Sequence, residues 1–413
     1  MTPRNQLPSS PAKSYARPLA LVTSLFFFWG LANILNSALI AHFQPVFEIR
    51  RAQALLVESA FYFGYFTLAI PAGLFMERFG YKKGILVGLL LYAAGALLFI
   101  PAALTITFGF FLIALYIIAS GLAFLETAAN PYVTILGPPE SSVVRLNFAQ
   151  FFNGLALVVG PWLASRFIFA GNEGALNSTV MRQQAANAVI LPYAFIAGAV
   201  VVLAFFFLRT SMPEPAGENR LRFDLSILKI KHLRNAVFTQ LFYVGAQAGI
   251  WGITINYVTT LLPGTSNEVA SRNFMAIGTL LFVIGRFLGT VLMTRIRDHR
   301  LLTVYGICAV LLCTSAIFSG GRAAVYSILA LNFFMSIMFP TIFALGVKDL
   351  GPQTKPGASL IIMAIVGGAI IPPIMGLIAD DVGMQQALAV PLLCFGVVIY
   401  FGARGHRVQP TSA

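Results

Sequence analysis

Cysteine, histidine and acidic side chains are all scarce here: 413 residues hold 3 Cys, 4 His and 14 Asp plus Glu. Cys308, Cys313 and Cys394 fall inside apolar stretches, so neither a disulfide framework nor a thiolate metal cluster is expected, and they read as small apolar fillers. His42, His232, His299 and His406 lie at the ends of such stretches or between them, leaving no His-x-x-Glu-His cluster and no Ser-His pair within one. A metal site and a hydrolytic enzyme are therefore not expected. There is also no Gly-rich phosphate loop, so ATP is not the energy source and no cofactor is implied. Alternating strand patterns are missing, which argues against a β-barrel.

What remains is apolar. Hydrophobic residues make up 58% of the chain, charged residues 10%, and the mean hydropathy is +0.84, far from the composition of soluble domains. Runs of about 20 apolar residues, each long enough to cross a ~30 Å hydrocarbon core as a helix, recur twelve times. They cover approximately 17–42, 53–76, 83–104, 106–132, 145–168, 189–209, 235–261, 272–294, 301–319, 323–346, 357–379 and 384–403. The expected class is an all-α membrane protein of twelve transmembrane helices in two six-helix bundles. The basic, Pro-rich segment before the first span shows no small-residue cleavage site and reads as retained.

The net charge of +13 is sided. With both termini and the even-numbered loops on one side, that side collects 20 of the 27 Lys and Arg; the other holds Arg50, Arg51, Arg166, Arg182, Arg272 and Arg322. The positive-inside rule then puts both termini in the cytoplasm. The basic excess reads as topology and not as a nucleic-acid surface.

The charge-rich stretch between spans six and seven divides the chain into a bundle at 1–209, a cytoplasmic linker at 210–234 and a second bundle at 235–413. The linker suits a short amphipathic helix on anionic headgroups. A Pro-x4-Leu-Gly match at Pro131–Gly137 and Pro340–Gly346, in the fourth span of each half, suggests a duplicated unit. After span two comes "GLFMERFGYKKG", with Gly73, Glu77, Arg78 and Gly80. A tight turn carrying opposite charges can latch helices in one conformation and release them in another. A worn copy, "TVLMTRIRDHR", follows span eight.

Polar side chains deep in the spans are few and costly unless they face a cavity or one another. Span one carries Asn33, Asn36 and Ser37 on one face. Span four carries Glu126, Asn130 and Thr134 at i, i+4 and i+8, span five carries Asn147, Gln150 and Asn153, and span seven carries Gln240, Tyr243, Gln247 and Trp251. Each amide either bridges neighbouring helices or lines a site. Uncharged donors and acceptors beside an aromatic face suit a sugar. Glu126 reads as a proton carrier, the alternative being a neutral acid locked by a hydrogen bond. Glu58, at the outer end of span two and in line with Tyr62 and Tyr65, either snorkels to the interface or is a second proton-coupling acid. Arg286 is expected to pair within the protein or to snorkel.

The segments "ESAFYFGYF", "IPAGLFMERFGYKKG", "LETAANPYVTILGP", "RLNFAQFFNG", "FYVGAQAGIW", "IGRFLGT" and "PTIFALGVKDLG" together resemble the fucose-galactose-glucose proton symporters of the major facilitator superfamily. The resemblance implies a bacterial inner-membrane, multi-pass monomer that moves a monosaccharide, L-fucose or a related hexose, with a proton by alternating access. Sodium is the alternative coupling ion, and glucose, galactose or N-acetylglucosamine the alternative cargo. It also implies proton coupling at Glu126 and sugar contact at Gln150 and Asn153. Two positions depart from the fucose permeases: Ser37 stands in place of an Asp and Phe339 in place of a Tyr. An uncoupled facilitator or sensor and an intramembrane enzyme are the other classes weighed.

Overall fold

A computed structural model describes residues 16–136, 142–169, 178–212, 225–293, 295–350 and 354–407. Among them no strand is present. Eleven helical segments are long and apolar enough to cross a membrane: Ala16–Phe47, Arg51–Met76, Tyr81–Leu104, Phe108–Asn130, Phe148–Phe169, Thr179–Arg209, Asn267–Met293, Asp298–Phe318, Gly321–Gly346, Gly357–Asp381 and Gln386–Gly405. The twelfth crossing, seventh in order, is Lys231–Leu261, whose polar stripe makes it less apolar than the rest. A bilayer offers the backbone no hydrogen-bond partners, so apolar runs of this length satisfy their own N–H and C=O groups as helices.

Within the first half, spans two and three pack on span four, and span one on span five. In the second half, spans eleven and twelve pack on span seven, and span nine on span ten. Small residues permit the closest approaches, as where Gly88 and Gly121 meet between spans three and four.

The sixth crossing starts earlier than hydropathy predicts. A polar helix, Thr179–Asn187, precedes Ile190–Arg209 and is capped by the Ser178 hydroxyl, which accepts from the Met181 N–H at 3.2 Å. Its polarity hides it from a hydropathy window, but Gln183 donates to the Ala103 carbonyl (3.0 Å) and Arg182 pairs with Glu48. The seventh crossing also starts early, at Lys231, because its first turn is anchored: the His232 ring meets the Lys348 carbonyl at 2.9 Å and Asn235 donates to the Gly405 carbonyl at 3.1 Å. Of the linker, Leu225–Lys229 forms a 3-10 turn; residues 213–224 lie outside the described part, and with them most of the expected amphipathic segment.

The halves meet at the end away from the termini. The Ser271 hydroxyl, in span eight, donates to the Pro161 carbonyl in span five (2.8 Å), and Ser59 in span two donates to the Ala369 carbonyl in span eleven (2.6 Å). Arg50 and Arg51, at the start of span two, pair with Asp380 at the end of span eleven.

Candidate functional site

Polar residues of spans one, two, four and seven gather around Tyr62, which has Asn33, Glu58, Glu126 and Tyr243 as neighbours, and the candidates divide by exposure. Asn33, Glu126, Asn130, Gln150 and Gln247 are half-buried, keeping part of their surface open. Asn36, Ser37 and Glu58 are 1%, 1% and 3% exposed, sealed on the closed side.

Glu126 sits where "LETAANP" places it, in the helix Phe108–Ile135, two turns before its end. No hydrogen bond to its carboxylate is found among the described residues; Asn130, one turn on, donates to the Glu126 main-chain carbonyl (3.3 Å) and not to the acid. Tyr62 and Tyr65, 7% and 5% exposed, line the space between the two acids.

Glu58 corrects the snorkelling alternative. Its carboxylate accepts from the Asn36 amide at 3.5 Å, and the backbone of Gly252 in span seven covers its stem, an added Cβ there lying 3.8 Å from the Glu58 Cγ. Burial follows from the closed interface, not from depth along the helix, which is why span position alone suggested an exposed head group. Beside it, the Asn36 Oδ1 and the Ser37 hydroxyl are buried without partners.

Other candidates are spent on packing in this state. Asn153 donates to the Phe26 carbonyl (3.3 Å) and joins spans one and five. The Tyr243 hydroxyl donates to the Met335 carbonyl (2.8 Å), and Gln240 is wholly buried with both amide atoms unpaired. Trp251 donates from Nε1 to the Asn332 Oδ1 at 2.7 Å and packs edge-on against Phe282 with centroids 5.3 Å apart. The structure thus does not bring Gln240, Tyr243, Asn36 or Ser37 into the open group. The Asn147 and Thr134 side chains lie outside the described part.

Asn332, 2% exposed, escaped the sequence reading. Its signal is a single amide in the apolar run "LALNFFM". Arg286 is paired, not snorkelling: Nε donates to the Ser336 carbonyl at 3.2 Å, where span ten breaks between Met335 and Met338, and the guanidinium lies over the Phe282 ring at 4.8 Å.

In the loop after span two, Gly80 takes φ 86° and ψ 165°, ending one helix and starting the next. Arg78 is exposed over the Phe79 ring at 5.2 Å, and the Gly73 face is empty within 4 Å. Lys82 donates to the carbonyls of Leu208 (3.1 Å) and Thr210 (2.8 Å), tying the loop to the end of span six. The Glu77 side chain lies outside the described part. A separate cleft of about 720 Å3 between spans one and five is lined by apolar residues such as Leu19, Phe27, Phe28 and Phe152; none of the polar stripes contributes to it.

Sequence and structure comparisons agree with this architecture. The family profile described as Major Facilitator Superfamily matches residues 21–365. The L-fucose-proton symporter of Escherichia coli K12 is 40% identical over 409 residues, covering 94% of this chain and 93% of that protein. A glucose/galactose transporter of Brucella abortus is 36% identical over 404 residues, covering 97% and 96%. The crystal structure of a variant of the E. coli fucose:proton symporter superposes with a TM-score of 0.72 at 39% identity, over 96% of this chain and 100% of that one. Twelve crossings in two bundles, a tight charged turn after the second, and relatives matched along nearly their whole length place this chain in the major facilitator superfamily, in the family of the fucose and glucose/galactose transporters.

Proposed function

We propose that this protein imports a monosaccharide, L-fucose or a related hexose, by proton symport with alternating access. Glu126 carries the reading: an acid at mid-depth, half-buried and without a described hydrogen bond to its carboxylate, suits a group that takes up and gives back a proton as the site's access alternates. Gln150, Asn33, Asn130 and Gln247 offer the neutral donors and acceptors that sugar hydroxyls need, and the names borne by the relatives point to the same cargo. Glu58 is the second proton-coupling acid, one turn from Tyr62, in a chain whose first span has Ser37 in place of an acid.

Both termini and the linker lie in the cytoplasm, as the sided Lys and Arg favour, so the closed end is periplasmic and the state described faces inward. The protein acts as a monomer in the bacterial inner membrane, its bundles rocking about the linker, with Gly73, Glu77, Arg78 and Gly80 latching the cytoplasmic end when that end closes.

Proteoliposomes with an imposed proton gradient, offered a panel of labelled sugars, test this. Accumulation of one sugar above its outside concentration, abolished by a protonophore, is the expected result. Ser37 specifically favours a second reading, a sodium-coupled or uncoupled carrier of glucose, galactose or N-acetylglucosamine, because it removes a titratable group. Accumulation that follows sodium when potassium replaces it, or mere equilibration, selects that reading instead.

A further inference from the structure

Asp380 joins the two halves through backbone atoms. Its carboxylate, 9% exposed, accepts the main-chain N–H groups of Arg51 (3.2 Å) and Ala52 (3.0 Å) across the interface, while the Arg50 and Arg51 guanidinium groups lie 3.6 Å away. Its neighbour Asp381 makes only an ion pair with Arg50, and both side chains of that pair are more than half exposed. Below Asp380 the interface has no room for side chains. A Cβ on Gly376 would stand 2.6 Å from the Ala52 Cα, one on Gly252 2.8 Å from Leu55, and one on Gly368 2.4 Å from the Tyr62 ring.

Two N–H groups at the start of a helix need acceptors. In the closed state one half supplies them to the other; once the halves part, water must. A carboxylate bonded to backbone N–H in a dry interface contributes far more than an exposed ion pair. We propose that Asp380 is the gate residue of the end away from the termini: it holds that end shut by capping the backbone of span two, and so sets how much of the protein is closed there. The inference rests on alternating access and on no particular sugar or coupling ion.

Leu55, wholly buried under this contact, reports on it. A Leu55→Cys variant, with Cys308, Cys313 and Cys394 replaced by Ala, is purified in detergent and its maleimide labelling rate measured. Detergent gives the reagent both sides, so the reading does not depend on the assigned topology, and it needs neither sugar nor gradient. Failed transport and a failed gate are therefore distinguishable. Asp380→Asn, which keeps shape and loses charge, should raise the rate at least about tenfold, as expected for losing hydrogen bonds to a charged acceptor. Arg51→Pro, which deletes one donor at a position where proline is tolerated, should act in the same direction. Asp381→Asn should stay near the parent rate. Gly376→Val, which wedges the same interface, should label fast and shows that the assay reports opening. Asp380→Asn and Arg51→Pro both at the parent rate, or Asp381→Asn opening the end as much as Asp380→Asn, overturns the proposal.

Discussion

At the scale of single residues, two carboxylates in one state differ in access, and their variants should differ accordingly. Glu126→Gln keeps shape and most hydrogen bonding but has no proton to release. Concentrative uptake should vanish while sugar exchange survives, and the fall in wild-type sugar affinity as pH rises should flatten, because binding of proton and sugar is reciprocal. Normal proton-driven accumulation by that variant moves the coupling to Glu58 or to sodium. Glu58→Gln should lower the accumulation ratio and leave equilibrium binding intact. Gln150→Ala should weaken sugar binding by roughly 1–3 kcal/mol, the cost of leaving polar groups unmatched; unchanged calorimetric affinity makes it a helix bridge. Trp251→Phe tests a different assignment. With its Nε1 spent on Asn332, losing that donor leaves a buried acceptor unpaired, so thermal stability should fall by about 1–3 kcal/mol, more than affinity does.

At the scale of elements, the twelve crossings were legible because a bilayer enforces long apolar helices whatever their packing. The polar helix Thr179–Asn187 was not, since it carries too little apolar surface to register and is held by distant partners such as Glu48 and Ala103. The stripes of Glu126 and Gln150 were legible as faces of helices. Which polar residues a closed interface would seal was not: Glu58 lies under Gly252 of the other half, and Asp380 meets Ala52 across 328 residues. Spacing along one helix carries no record of the opposite half. The turn after span two was read correctly as tight, and it makes an element-scale prediction. Gly80, at φ 86° and ψ 165°, occupies backbone space that is essentially glycine's alone. Gly80→Ala should therefore lower stability in detergent by about 1–3 kcal/mol. Gly73→Ala, helical and with nothing within 4 Å, should be neutral or gain up to ~1 kcal/mol. Equal losses at both positions would refute the backbone account of Gly80.

At the scale of the whole molecule, the sided charge makes a prediction about orientation. A reporter fused after Ala413, or a protease site at Lys229, should be accessible from the cytoplasm, and activity only on the periplasmic side would reverse the topology. With that orientation, the seal over Glu58 has an electrical meaning. A cavity open to the cytoplasm is nearly at the cytoplasmic potential, so the membrane voltage drops mainly across the thin closed layer formed by Asp380, Gly376, Ala52 and Leu55. If Glu126 carries the proton, as proposed, it feels little field while the inward-facing state exchanges it. When the closed layer moves to the other end, the same residue stands near the outside potential without having moved far. Voltage thus acts on the rocking step and not on proton hopping along a wire. Each proton carried this way across 100 mV brings ~2.3 kcal/mol to a neutral sugar, about fiftyfold in concentration.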